Sequence, residues 1–279
     1  MLKVLKSGLY TTIQDSGRFG YRDNGVPVSG VMDTNTVYKI NTLLENDVND
    51  SVLEITMTGP TLQFGKDTYI SLGGAKFEVT LNNIPVENYK LLKIMAGDIL
   101  SYGRLQKGFR AYIAIKNGFQ SKEILGSRSY YSAITPYIVI KDNFEIPYIK
   151  NSKFEPKITS LKTNSLLDET ELYVAKGPEF SLLNDRQLEQ IFFREFNIAP
   201  ENNRMAYQLK QTIDGHKVSM LTSATLPGTV QFTPAGKLIV LMKDGQTTGG
   251  YPRIIQLTDK AISILSQKKS GDIVNFKLM

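Results

Sequence analysis

A mostly β protein of two domains, each a barrel or sandwich, with a few short helices, is predicted from three observations on the sequence. Strand-like segments are short and separated by Gly, Pro and Asn turns, helix signals occur in only three places, and one stretch is weakly repeated late in the chain. At 279 residues the chain exceeds a typical single domain, which also favours two.

The elements follow in order. Asp33 can cap a helix running to about Glu45, with Val37, Ile40 and Leu44 on one face. Phe77-Glu78-Val79-Thr80-Leu81 alternates apolar and polar, Asn82-Asn83 supplies a two-residue turn, and Ile84-Pro85-Val86 resumes the alternation. Pro85 places that second strand at a sheet edge, because proline cannot donate to a ladder. A second helix is expected from Asn184 or Asp185, with Leu188, Ile191, Phe192 and Phe196 on one stripe. Pro227-Gly228 opens the strand Val230-Gln231-Phe232, and Pro234-Ala235-Gly236 turns into Lys237 to Met242. A short helix containing Ile262 and Leu265 is expected from Asp259.

The repeat is Met95-Ala96-Gly97-Asp98-Ile99-Leu100-Ser101-Tyr102 against Lys269-Ser270-Gly271-Asp272-Ile273-Val274-Asn275-Phe276. Thr58-Gly59-Pro60 is similarly echoed by Lys176-Gly177-Pro178. The separations are too large for a solenoid and fit two related domains. Residues 141–169, rich in Lys, Asn and Ser, read as the linker, which gives domains of 1–150 and 165–279. The N-terminal 50 residues lack an echo and are free to pack on either domain.

Composition removes several functions. Cysteine is absent, so disulfides and thiolate chemistry are excluded and a reducing compartment fits. With one histidine, His216, zinc sites of His or Cys ligands are not expected, and no bound metal is predicted. The net charge of +6 comes from scattered lysines without interleaved aromatics, so nucleic acid is not an expected partner. No apolar segment is long enough to span a bilayer, and none follows the charged start Met1 to Lys6, so neither membrane nor secretion is expected. A cytoplasmic location is the expectation.

No self-sufficient catalytic signature is present. Gly236-Lys237 is followed by Leu238, which rules out a phosphate-binding loop, and no dinucleotide fingerprint follows a strand. His216 lies in a polar loop and reads as a surface histidine rather than a base. Three polar segments are dense in Gly, Arg and Tyr: Gln14 to Asp33, Asn202 to Leu209, and Asp244 to Arg253. Glycine permits close approach, Arg recognises carboxylate or phosphate bidentately, and Gln with Thr suits an amide or ureido ligand. The segments are either ligand-binding loops or turns whose Asp and Arg residues satisfy one another. Asp33 has its own alternatives, helix cap or ligand contact.

In order and spacing these segments resemble the biotin-dependent carboxyltransferase family, also called allophanate-hydrolase subunit 2. The resemblance runs from about Val4 to Phe276. It includes Leu53-Glu54-Ile55 with Gly59-Pro60, Leu125-Gly126-Ser127-Arg128-Ser129, Gly177-Pro178-Glu179 and Gly271-Asp272. Asn203-Arg204-Met205-Ala206-Tyr207 departs from the family, which usually has Asp before Arg and Gly before Tyr. The resemblance implies that both domains are cyclophilin-like β-barrels. Its 5-oxoprolinase branch implies a C subunit, inactive alone, that contributes to ATP-dependent opening of 5-oxo-L-proline to L-glutamate. The implied partners are the β-rich B subunit of that enzyme together with its A subunit, with ATP used by the complex and not assigned to this chain. Two further branches imply a carboxyltransferase component acting on urea or an amide with a biotin carrier in trans, and a non-catalytic antagonist that binds a kinase-inhibitor subunit. The small-molecule substrate site implied by the matching segments comprises Arg18, Tyr21, Arg128, Arg204, Tyr207, Gln246, Thr248 and Tyr251, expected to converge on one cleft, with no residue assigned to catalysis.

Overall fold

The computed structural model describes all 279 residues. They form two compact units, Met1–Arg18 with Ser29–Leu167, and Phe19–Val28 with Asp168–Met279. Of the first 50 residues only Phe19–Val28 joins the second unit. Residues 141–167, where the linker was expected, are bound into the first unit. Their backbone is held there by Leu91 N donating to Thr159 O at 2.8 Å and Leu161 N to Tyr89 O at 2.9 Å.

The first unit contains β1 (Leu2–Lys6), β2 (Tyr10–Gln14), α1 (Thr34–Leu43), β3 (Val52–Thr56), β4 (Thr61–Phe64), β5 (Thr68–Leu81), β6 (Ile84–Val86), β7 (Leu91–Ile94), β8 (Ile99–Ile115) and β9 (Glu145–Ile146). They make one nine-stranded sheet with the path β2-β3-β8-β4-β1-β9, and β5 pairs with β6, β7 and β8. This sheet is a curled half-barrel, whereas a barrel was expected. The curl comes from β5 and β8, whose pairing slips register between Gly74 and Lys76 and again on to Val79. Gly74 has φ +82°, and a Cβ there would stand 2.4 Å from Arg110 O, so only glycine fits the bend.

Asp33 caps α1, its Oδ1 accepting from Thr36 N at 2.9 Å. Val37, Ile40 and Leu44 are buried with Val52 and Tyr112, as the helical spacing predicts. Each such burial is worth roughly 1.5–3 kcal/mol relative to exposure. At the β5–β6 hairpin Asn82 and Asn83 take φ +50° and +66°, the left-handed pair a tight two-residue turn requires. β6 pairs only with β5, so Pro85 does lie on an edge.

The second unit contains β10 (Glu171–Lys176), α2 (Asp185–Phe192), β11 (Phe196–Asn202), β12 (Ala206–Leu209), β13 (Ser223–Ala224), β14 (Thr229–Phe232), β15 (Leu238–Leu241), β16 (Thr248–Gly249), β17 (Arg253–Leu257), α3 (Asp259–Ser266) and β18 (Ile273–Leu278). Seven strands close a barrel in the order β10-β17-β14-β15-β12-β11-β18, sealed by parallel pairing of β18 with β10. Alternate residues fill it: Val230, Phe232, Leu238, Val240, Val274 and Phe276 are all buried. β13 and β16 form a separate two-stranded ribbon.

A capping box between Asn184 and Gln187 starts α2. The helix ends at Phe192, so Phe196, expected on its stripe, instead opens β11 and packs against Phe276 at 5.6 Å between ring centroids. Thr258, one residue before the expected start, caps α3.

The sequence echo is a shared turn. In the first unit Asp98 Oδ2 accepts from Met95 N at 2.7 Å and Asp98 N donates to Met95 O at 3.1 Å, with Gly97 at φ +97°. In the second, Asp272 makes the same two bonds with Lys269, at 2.9 and 3.1 Å, with Gly271 at φ +92°. Both turns lead into a strand, β8 and β18.

Candidate functional site

In the first unit, two segments far apart in sequence close into one clasp around Asp15. Its Oδ1 accepts from Gly17 N at 2.9 Å and from the hydroxyls of Ser127 and Ser129 at 2.6 Å each, and its Oδ2 accepts from Arg128 N. Arg18 is fully buried, its Nε donating to Ile124 O at 3.1 Å and its Nη2 to Ser129 O. The guanidinium expected to clamp a substrate is therefore engaged in joining the Gln14–Arg18 turn to the Leu125–Ser129 loop. The guanidinium of Arg128 donates to Ser121 O and lies 3.9 Å from Glu123.

Beside the clasp lies a buried charged cluster that the sequence did not single out. Glu54 Oε2 accepts from Met32 N at 2.8 Å and from the Tyr112 hydroxyl at 2.9 Å, while Arg110 Nε stands 3.8 Å from Glu54 Oε1. Burial first, and Glu54 second, push the Tyr112 phenol well above its ordinary range, so it remains a donor at any working pH. The hydroxyl also accepts from Asp33 N at 3.0 Å, which ties the cap of α1 to β8. Asp33 is 1% exposed and its two oxygens serve Thr36, so the helix-cap alternative is the one the structure realises. Glu54 stands out in the sequence as a carboxylate inside the apolar run of β3, within the Leu53-Glu54-Ile55 segment of the family resemblance.

The other six sequence-derived candidates lie in the second unit. The loop from Asp244 to Arg253 is fixed at three points. Arg204 grips Asp244 bidentately, Nε to Oδ2 at 2.8 Å and Nη2 to Oδ1 at 3.1 Å. Arg22 donates to the carbonyls of Thr225 and Thr247. Arg253 holds Glu179 through Nε at 2.9 Å and Nη2 at 2.7 Å, which keeps the Glu179 carboxyl below its usual range. Asn203, where the family usually has Asp, accepts from Met205 N and Ala206 N through Oδ1 at 2.7 and 3.1 Å. The carboxylate partner of Arg204 is thus Asp244, and the departure at 203 leaves an Asp–Arg pair in place.

Between these anchors, Gln246, Thr248 and Tyr251 are exposed on one loop around Gly249 and Gly250. Gln246 Nε2 donates to Gln231 Oε1 at 3.4 Å, and the Thr225 hydroxyl donates to Gln246 O at 2.5 Å. A Cβ on Gly249 would fall 2.2 Å from Gln231 Nε2 and 2.7 Å from Gln246 Nε2, so the glycine makes room for both amides. An exposed amide, hydroxyl and phenol on a pinned loop can hydrogen-bond an uncharged amide or ureido group. Tyr21 is half-buried, and its carbonyl accepts from Asn24 N and Val26 N. Tyr207 is wholly buried in the barrel, its hydroxyl donating to Lys268 O at 3.2 Å. The alternation Tyr207, Leu209 marked both as inward-facing.

His216 accepts from Val218 N through Nδ1 at 3.1 Å, which makes Nε2 the donor to Phe232 O at 3.0 Å. Nε2 thereby ties the segment to the barrel strand β14, and Nδ1 shapes the segment's own turn. No group of three or more His, Cys, Asp or Glu is placed to hold a metal ion, and no helix is long and apolar enough to cross a membrane.

Residues 24–278 match the family model described as carboxyltransferase domain, subdomain A and B. The chain is 33% identical to the C subunit of 5-oxoprolinase from Escherichia coli (strain K12), over 99% of this chain and 90% of that protein. It is 27% identical to urea amidolyase of Lachancea kluyveri, over 98% of this chain but only 17% of that protein. Among solved structures, that of TTHA0988 superposes with a TM-score of 0.88 at 23% identity, over 99% of this chain and 55% of the other, so this chain spans about half of it. The half-barrel sheet, the closed barrel and these matches over nearly the whole length agree: the chain belongs to the carboxyltransferase-domain family of subdomains A and B.

Proposed function

We propose that this chain is the C subunit of an ATP-dependent 5-oxoprolinase, contributing to the cleavage of 5-oxo-L-proline to L-glutamate. One observation carries the reading: the likeness to the 5-oxoprolinase protein of Escherichia coli covers 90% of that protein, whereas the likeness to urea amidolyase covers 17%. Amide resonance makes a lactam a poor electrophile, so coupling its opening to ATP is chemically sensible. ATP belongs to the complex in this reading and is not assigned to this chain. The partners are the A and B subunits, and the absence of cysteine fits a reducing, cytoplasmic setting.

Within this chain the substrate contacts fall to Gln246, Thr248 and Tyr251, whose neutral donors and acceptors suit a lactam amide. Arg204 acts behind them by fixing Asp244. The test is to assemble the chain with the A and B subunits and to measure glutamate release from 5-oxoproline and ATP. An assembled, folded complex without that activity would overturn the proposal.

A second reading rests on the urea amidolyase likeness: a carboxyltransferase component that takes its carboxyl group from a biotinylated carrier in trans. It requires a biotinylated protein in the native assembly. Avidin blotting of the purified assembly is expected to be negative under the first reading and positive under the second.

A further inference from the structure

The first unit contains a cavity of about 420 Å³ that neither the clasp nor the buried charged cluster uses. Its size falls within the range of about 300–1,000 Å³ common to small-molecule sites. Ile13 and Ile146, both buried, contribute apolar wall. Tyr130, Tyr137 and Phe144 form an aromatic side, with ring centroids 6.3 Å apart for Tyr130–Tyr137 and 4.9 Å for Tyr137–Phe144.

The walls are fixed before any ligand arrives. Tyr130 N donates to Ile13 O at 2.9 Å, the Thr135 hydroxyl donates to Tyr137 O at 2.6 Å, and Arg18 and Arg128 hold Ile124 O and Ser121 O. A cavity between elements tied this firmly is a feature of the fold and does not close by small side-chain shifts.

The hydroxyls of Ser121 and Tyr130, both lining the cavity, have no hydrogen bond to the protein. Ser121 Oγ is buried without a partner. The Tyr130 phenol is desolvated, and burial with Tyr137 beside it pushes its pKa up to about 12, so it is a neutral donor under physiological conditions. Native proteins rarely leave buried hydroxyls unmet, and an unmade bond in such a place costs free energy that an acceptor would recover. The only charged residues of the lining, Lys122 and Glu145, are both exposed and opposite in sign. A charged molecule entering the cavity would lose its hydration with no buried counter-charge to replace it.

We propose that this cavity binds a small uncharged molecule with a flat, aromatic or comparably apolar body and a hydrogen-bond acceptor such as an amide carbonyl, received by the Tyr130 and Ser121 hydroxyls. The cavity belongs to the first unit and the Gln246 loop to the second, so this site stands or falls independently of the 5-oxoprolinase reading.

Three probes of one shape and different charge test it: benzamide, benzoate and benzylamine. Binding is read from the methyl NMR signals of Ile13, Ile124 and Ile146 in the intact chain. Benzamide is expected to shift those signals in a saturable way at millimolar concentration, and each charged probe to bind at least ten-fold more weakly. Tyr130→Phe keeps the ring and removes the donor, so it is expected to weaken benzamide about three- to ten-fold, the effect of one neutral hydrogen bond. Its melting temperature should not fall, because the hydroxyl it removes has no partner in the protein. Ser121→Ala provides the same comparison at the second hydroxyl. Absence of saturable shifts at all three methyls overturns the proposal. So does equal binding of the charged probes, or benzamide binding that neither substitution weakens.

Discussion

Arg18 looked like a substrate clamp because it sits between glycines in a segment that strand pairing does not need. It is instead fully buried, donating to Ile124 O and Ser129 O from a turn whose carboxylate, Asp15, binds the same loop. Arg18→Lys keeps the charge but loses the planar fork that reaches two carbonyls at once. Leaving buried acceptors unmet costs about 1–3 kcal/mol, so the melting temperature is expected to fall by several degrees. Substrate saturation of the assembled complex should stay unchanged. A shifted saturation curve at unaltered stability would return Arg18 to the substrate site. Glu179 permits a pH test at the same scale. Its carboxyl titrates below the ordinary value mainly because Arg253 hydrogen-bonds it, so its stabilisation is present above the unfolded pKa of roughly 4.3 and fades as pH falls through the lower folded value. Glu179→Gln is therefore expected to melt below wild type at pH 7, with the gap closing under about pH 4. A gap independent of pH would contradict the ion-pair account.

At the level of elements, local chemistry was legible wherever the partners were close in sequence. Asp33 as a cap, the Asn184 helix start and the Asn82-Asn83 turn all depend on residues within a few positions, and all three formed. The turn gives a direct test. Asn83 at φ +66° occupies a conformation that costs a β-branched residue about 1–2 kcal/mol more. Asn83→Val should lower the midpoint of denaturant unfolding, and Asn83→Gly should hold or raise it; equal midpoints would mean that the turn is not under this constraint. What the sequence hid is non-local. Arg22 is bonded to Thr225 and Thr247, Arg204 to Asp244 and Arg253 to Glu179, and no local pattern ties such distant partners. Gln231 read as an ordinary strand residue because its amide lies against Gly249, in a ribbon of two very short strands, one earlier and one later in the chain, that carry no local signal. Tyr207 alternates with Leu209 on the inward face of β12, and its polar neighbours do not bring it to the surface.

At the level of the whole molecule, the same Gly-Asp turn occurs once in each unit. Asp98 and Asp272 make the same pair of bonds ahead of β8 and β18. The units otherwise differ: the second is a closed barrel and the first a bulged, curled sheet whose β5 and β8 run much longer than any strand of the second unit. The segment Phe19–Val28 belongs to the second unit although its neighbours on both sides belong to the first, which no boundary drawn from composition would find. The fold does not choose among the chemistries of its family, so function has to be decided by the assembly. The most direct measurement is glutamate production from 5-oxoproline and ATP by the A and B subunits with and without this chain. ATP-dependent glutamate release is expected only when the chain is present; an intact complex of all three proteins that releases none would contradict its role as the C subunit.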